Sequence, residues 1–163
     1  MSNLTVSCPG CGVEVDAIKN KPDDTYNAII GCREMVYELS YYTLSLGNSY
    51  FLHQLVVDTY AAQHAGPHVK AISTAFALVG LYLVYEQNKT GRDAQLAHIA
   101  LANKSKTWPM FEVPQSKHWM TVKDVLAVPD LAKEDAIKQW SSTVWDVWKS
   151  QEYKVKEIMK MIE

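Results

Sequence analysis

This sequence lacks several features that would indicate a class of function directly. Its longest apolar run, residues 75–85, is about half of the roughly 20 residues that a membrane-spanning helix needs. The 16 basic and 18 acidic side chains nearly cancel, and neither half of the chain carries the basic surface that nucleic-acid binding requires. We therefore expect neither a membrane nor a nucleic acid as a partner.

Cysteine is scarce, and the three that are present make an odd number. The first residues show neither the charged start nor the apolar segment of a secretory signal, so we expect a cytoplasmic protein. In that reducing compartment cysteines act as metal ligands or free thiols rather than as disulfides. Nearly half of the 163 residues are apolar, which is enough for a single domain over residues 1–163 without disulfide bonds.

The strongest motif is Cys8-Pro9-Gly10-Cys11-Gly12. Two cysteines separated by two residues can turn both thiolates toward one ion, and the glycines permit the tight turn. A redox pair is the weaker interpretation, because such pairs begin a helix after a strand and no βαβ pattern surrounds this one. Two free thiols in a flexible tail remain the third interpretation. We predict a zinc knuckle in an N-terminal arm, residues 1–22.

A closed zinc site needs four ligands, and Cys32 is the remaining thiol. His53 and His64 are the best candidates for the fourth, because their eleven-residue spacing turns them to within about 20° of one another on a helix. His68 is a reserve candidate. The two better candidates are about 16 Å apart along a helix, so one ion cannot easily bind both. We favour His64, because a turn follows it and leaves room for the knuckle.

Asp58 lies in the middle of the same predicted helix among apolar residues, where an unpaired carboxylate is costly. It can orient a metal-bound histidine or act as a base, and it can equally anchor a neighbouring helix. We favour the structural role slightly. With Asp58, the candidate catalytic groups are His53 and Tyr60.

The remaining chain predicts an all-α fold, a bundle of about five helices over residues 23–163 behind the irregular zinc-knuckle arm. Asp23 or Asp24 can cap the first helix and Ser49 the second, while Thr121 and Asp124 form a predicted capping box. The expected helices cover about 23–44, 49–66, 68–87 and 92–103, with a short one after 121 and a long one from 130.

Three tryptophans, Trp140, Trp145 and Trp148, lie in the last predicted helix. Aromatic residues at helical spacing can form a box that stacks on a ligand, but they are far more often core. We predict that they belong to the core.

The combined motifs resemble a bacterial family of small uncharacterised proteins with a domain of unknown function. The resemblance rests on the CPGCG segment, on Gly31-Cys32, on the block HQLVVDTYAAQH at 53–64 and on the tryptophan-rich segment 140–148. Relatives commonly continue with Pro-Gly after the final histidine, whereas Ala65 follows here. The resemblance supplies no activity, but it implies that one site contains Cys8, Cys11, Cys32, His53, Asp58 and His64.

Our leading hypothesis is a zinc-binding helical protein whose metal is structural and whose body is a binding or regulatory module for an unknown protein or small-molecule partner. Three cysteines and His64 would fill the shell and leave no open position. The alternative is a hydrolase-like metal enzyme that uses His53, Asp58 and His64, with Tyr60 assisting and a metal-bound water as nucleophile. A sensor that releases the arm when its cysteines are oxidised is the third hypothesis.

Overall fold

The computed structural model describes residues 4–104, 107–115 and 120–163. Two short strands, β1 (Thr5–Ser7) and β2 (Glu14–Asp16), pair as an antiparallel hairpin with Val6 opposite Val15. The helices that follow are α1 (Ile30–Ser45), α2 (Leu52–Gln63), α3 (Ala71–Glu86), α4 (Gly91–Ala102), α5 (Val122–Leu126), α6 (Asp130–Trp148) and α7 (Glu152–Met159). The predicted all-α fold behind a separate N-terminal arm is confirmed, and the arm consists of this hairpin and a short 3-10 helix, Ala17–Lys19, instead of an irregular segment.

Helices α2 and α3 lie side by side in the middle of the bundle. Helix α2 packs against α1, α3, α4 and α6, and helix α3 packs against α2, α4, α6 and α7. Residues 74–83 of α3 are almost all buried, as expected for a helix that is apolar on nearly every side. No helix in the described ranges combines the length and the apolar character that a bilayer crossing requires.

The predicted start of the first helix is wrong, because Asp23 caps a turn instead of a helix. Its Oδ1 accepts hydrogen bonds from the backbone N–H groups of Thr25 (2.7 Å) and Tyr26 (2.8 Å), and its own N–H donates to Ala28. A side chain that bonds its own local backbone favours a turn over a helix. Helix α1 therefore begins at Ile30 and not near residue 23.

The second helix also begins later than predicted. Its N-cap is Phe51 and not Ser49, and Phe51 lies in the left-handed region with φ 52°. Oδ1 of Asn48 accepts the N–H of Leu52, the first residue of the helix, at 3.0 Å. The predicted capping box of Thr121 and Asp124 is confirmed.

The three tryptophans of α6 are core residues, as predicted, and each indole N–H has an acceptor. Trp140 donates to Gln63 at 3.0 Å, Trp145 to Glu86 at 2.8 Å, and Trp148 to the carbonyl of Ala62 at 3.1 Å. Two of these bonds end on the last turn of α2. Helix α6 therefore fixes the end of α2, where His64 follows.

Asp58 lies in the contact between α2 and α3 with 3% of its surface exposed. A Cβ added to Gly80 of α3 would meet its Oδ2 at 1.9 Å, so only glycine lets the two helices approach here. Gln54 donates to its Oδ1 at 3.0 Å. Burial raises the pKa of Asp58 well above its ordinary value, against a smaller opposing effect of this hydrogen bond. Asp58 thus serves the packing of two helices.

Trp145→Ala and Trp148→Ala should each lower the free energy of unfolding by about 3–5 kcal/mol, because each removes a buried ring and leaves a cavity. Urea denaturation measures the change. Leu131→Ala, on the same helix but fully exposed, is the matched control and should change it by less than about 0.5 kcal/mol. Unchanged stability of both tryptophan variants would contradict the core assignment.

Asp58→Asn should make stability less dependent on pH. Because the pKa is raised in the folded state, the folded protein retains a proton that the unfolded chain releases. That contribution to stability is present at low pH and is lost as the pH rises through the folded-state pKa. In thermal unfolding, the stability of the asparagine variant relative to the wild type should therefore increase as the pH rises from about 5 to about 8. Asp146→Asn, which changes an exposed residue, is the control. If the stability of Asp58→Asn relative to the wild type fell with rising pH, Asp58 would be a charged, paired carboxylate in the folded protein.

Candidate metal centre

The knuckle is the turn of the β1–β2 hairpin. Cys8 and Val13 close it with a backbone hydrogen bond of 2.9 Å, and the N–H of Gly12 donates to the carbonyl of Cys8 at 2.8 Å. Gly12 has φ +79°, in the left-handed region that favours glycine. This geometry turns the thiols of Cys8 and Cys11 inward, and both side chains are buried.

Helices α1 and α2 supply one further residue each. Cys32 lies in the first turn of α1, and His64 is the C-cap of α2. Both are fully buried. The ligand atoms of Cys8, Cys11, Cys32 and His64 all lie within 4.8 Å of one another. The structure therefore brings together the four residues that the sequence selected.

Two of the separations in this group match those expected around a single tetrahedral ion. The sulfurs of Cys11 and Cys32 are 3.8 Å apart, and Sγ of Cys32 is 3.4 Å from Nε2 of His64. Two sulfurs at about 2.3 Å from a tetrahedral zinc would be about 3.8 Å apart, and a sulfur and an imidazole nitrogen about 3.6 Å. All three cysteines lie in the described part of the chain and none forms a disulfide. The donor set is one that zinc prefers in closed sites.

The imidazole of His64 is fixed in the tautomer that a metal requires. Its Nδ1 is 2.8 Å from the carbonyl oxygen of Tyr60, which can only accept, so Nδ1 carries the proton. The lone pair is then on Nε2, the nitrogen that faces Cys32. The ring of Tyr60 stacks on the imidazole with centroids 3.9 Å apart. A hydrogen bond of this kind commonly orients a histidine ligand.

Tyr60 also contacts a thiol of the group. Its hydroxyl donates to Sγ of Cys32 at 3.4 Å, and its side chain is buried. Without metal, hydrogen bonds from Cys11 and then Cys32 lower the pKa of the Cys8 thiol, while hydrogen bonds with Cys32 and then Cys8 raise the pKa of Cys11. The three thiols therefore interact strongly with one another.

Two close approaches hold the arm on the body, a third joins two segments of the body beside it, and glycine allows each of them. A Cβ on Gly10 would lie 2.6 Å from Cδ2 of His64 and 2.4 Å from the carbonyl of Asn27. Gly31 is equally close to Val15, and Gly66 to Asn27. The N–H of Asn27 donates to the carbonyl of His64 at 2.8 Å. The sequence indicated the turn at the knuckle but not these contacts, because they join segments far apart in the chain.

The other candidates lie outside this group. His53 is half-buried, and its Nδ1 pairs with Oγ1 of Thr43 at 3.0 Å. His68 is exposed in the turn after α2. Asp58 is in the α2–α3 contact. The single six-residue site that the resemblance implied therefore does not form, since His53 and Asp58 do not reach the cysteines.

Residues 6–149 match a protein family described as a family of unknown function, DUF5946. No curated protein and no solved structure matches the chain. The matched span covers most of the sequence and includes all four residues of the candidate metal centre. The chain therefore belongs to the DUF5946 family of unknown function.

Proposed function

We propose that Cys8, Cys11, Cys32 and His64 bind one Zn²⁺ ion with a structural role, and that the helical body is a binding or regulatory module. The observation that carries this proposal is the convergence of four buried ligand atoms from three segments of the chain. Three thiolates and one imidazole complete a tetrahedral shell, so water has no open position at the ion. Such a metal holds parts of a chain together and does not activate a nucleophile.

The arm needs such a link because it has little core of its own. Its hairpin buries Val13 and the two cysteines, while Thr5, Ser7 and Glu14 are exposed. A two-stranded hairpin of this size is at best marginally stable in water. A metal bound by both the arm and the helices adds its binding free energy to the stability of the folded state.

The rival enzyme hypothesis has less support. It requires an ion held by His53 and His64 with a carboxylate, yet within 4–104, 107–115 and 120–163 the one group of three or more potential ligands is the Cys₃His group. His53 and Asp58 have structural partners in Thr43 and Gln54.

The protein should contain about one zinc per chain, in keeping with one four-ligand site. Cys8→Ser, Cys32→Ser and His64→Ala should each lose zinc and stability, and His53→Ala should retain the ion. Elemental analysis of protein expressed with zinc and never exposed to chelator measures this. Metal-free wild-type protein, or zinc lost from His53→Ala and kept by His64→Ala, would contradict the assignment.

Gly10→Ala should weaken zinc binding although it removes no ligand, because its methyl group would displace His64 from the knuckle. Competition with a chromophoric chelator measures the affinity. Gly47→Ala is the matched control: Gly47 has φ +58° and open space around it, so the variant should lose roughly 1 kcal/mol of stability but no zinc affinity. Equal zinc affinity in Gly10→Ala and wild type would show that the arm has another way to dock.

A further inference from the structure

A cavity leads from the surface to two of the three cysteines at the metal centre. Its volume is about 560 Å³, and it lies between the cysteine knuckle, the end of α2 and residues 113–115. Cys8 and Cys11 line it. Cys32 has no exposed surface, whereas Cys11 retains 9% and Cys8 2%. A small solute in the cavity therefore meets the knuckle before it meets Cys32.

Cys11 is the cysteine that such a solute reaches most readily. In a zinc-loaded site the cysteines are thiolates, because a thiol must lose its proton to bind a metal. The thiolate is the form of cysteine that reacts with hydrogen peroxide, and susceptibility follows thiolate character and exposure. Peroxide is little larger than water, so a cavity of this size admits it. We therefore expect the first oxidation at Cys11.

Cys32 is in position to react with an oxidised Cys11. The two sulfurs are 3.8 Å apart, and a disulfide bond of about 2.0 Å requires them to approach by roughly 1.8 Å. The arm and α1 are already in contact beside this pair, since a Cβ on Gly31 would lie 2.7 Å from Cγ2 of Val15. The arm therefore does not need to leave the helix for the bond to form.

The alternative pair, Cys8 and Cys11, lies within one hairpin turn. Redox-active pairs with this spacing normally begin a helix after a strand, and these two cysteines instead lie between the paired strands β1 and β2. A bond between them would connect no part of the arm to the body. A bond between Cys11 and Cys32 would connect the two.

We propose that hydrogen peroxide converts the metal centre into a Cys11–Cys32 disulfide, releases the zinc ion and leaves the arm attached to α1. The Cys11 thiolate attacks one peroxide oxygen, the O–O bond breaks, and a sulfenic acid and a hydroxide ion form. The Cys32 thiolate then attacks the Cys11 sulfur, the S–O bond breaks, and the disulfide and a second hydroxide ion form. The two sulfurs lose two electrons in total and the peroxide gains them, and two protons from solvent convert the hydroxide ions to water.

Zinc leaves because two of its four ligands are consumed. Cys8 and His64 remain, and a closed zinc site needs four ligands. The arm stays because the new bond joins it to α1, whereas the sensor hypothesis stated above expects oxidation to release the arm. This inference rests on the proposed zinc site and adds its regulation, which is release of the ion in response to an oxidant.

The test treats the full zinc-loaded chain with a few equivalents of hydrogen peroxide after its zinc content has been measured. A metallochromic dye follows released zinc, tandem mass spectrometry without reduction identifies the disulfide, and hydrogen exchange reports on the amides of β1 and β2. We expect the loss of about one zinc per chain, a Cys11–Cys32 cross-link with Cys8 recovered as an alkylated thiol, and unchanged protection of both strands. Dithiothreitol with added zinc should restore the metal.

Cys8→Ser and Cys32→Ser are matched variants, because both should lose zinc but only Cys8→Ser retains the proposed pair. After peroxide treatment, Cys8→Ser should form the cross-link and gain protection in the two strands, while Cys32→Ser should gain none. If neither variant folds, the cross-link and the exchange protection of the wild type decide.

Four outcomes would overturn the inference: zinc that stays bound through the peroxide treatment, a Cys8–Cys11 disulfide with loss of strand protection, sulfinic acids without a disulfide, or equal protection in the two oxidised variants. Protein that contains no zinc before the treatment would contradict the zinc site itself and this inference with it. Because zinc is measured before the oxidant is added, that result is distinguished from the other four.

Discussion

The position of the N-terminal arm depends on contact between His64 and the cysteine knuckle. The hairpin buries little apolar surface of its own, and Cys8 and Cys11 meet Cys32 and His64 of the body beside the close contacts at Gly10 and Gly31. Gly10 has no side chain, which allows the knuckle to lie close to His64. Since α6 fixes the last turn of α2 through two tryptophan N–H groups, the body presents His64 in one orientation. The helical body and the N-terminal arm thus meet at one group of four potential ligands.

Much of this centre could be predicted from the sequence, because its parts are local patterns. The CPGCG spacing favours a metal knuckle over a redox pair or free thiols, and the periodicity of α2 places His64 and Tyr60 on one face. Helix starts were predicted less well. Asp23 has the chemistry of a helix cap, but its carboxylate bonds the backbone of a turn. The N-cap of α2 is Phe51 and not Ser49, while the side chain of Asn48 accepts the N–H of Leu52. That choice depends on backbone contacts that local sequence does not reveal.

The residues that sequence reasoning missed are defined by contacts between distant segments. Nothing near Arg33 in the sequence shows that its guanidinium lies over three tyrosine rings, because one of them, Tyr60, belongs to another helix. Gly31 and Gly66 likewise appear as ordinary helix or turn glycines, although Val15 packs against the first and Asn27 against the second. The resemblance to a family supported a common site for six residues, yet shared motif residues need not meet: Asp58 serves the α2–α3 contact instead.

The central claim is that the buried group binds a zinc ion with a full protein shell. X-ray absorption at the zinc edge of the protein as purified measures that shell directly. The account predicts three sulfur neighbours at about 2.3 Å and one nitrogen at about 2.0–2.1 Å. A shell of nitrogen and oxygen atoms alone, or one in which water replaces a protein ligand, would contradict it.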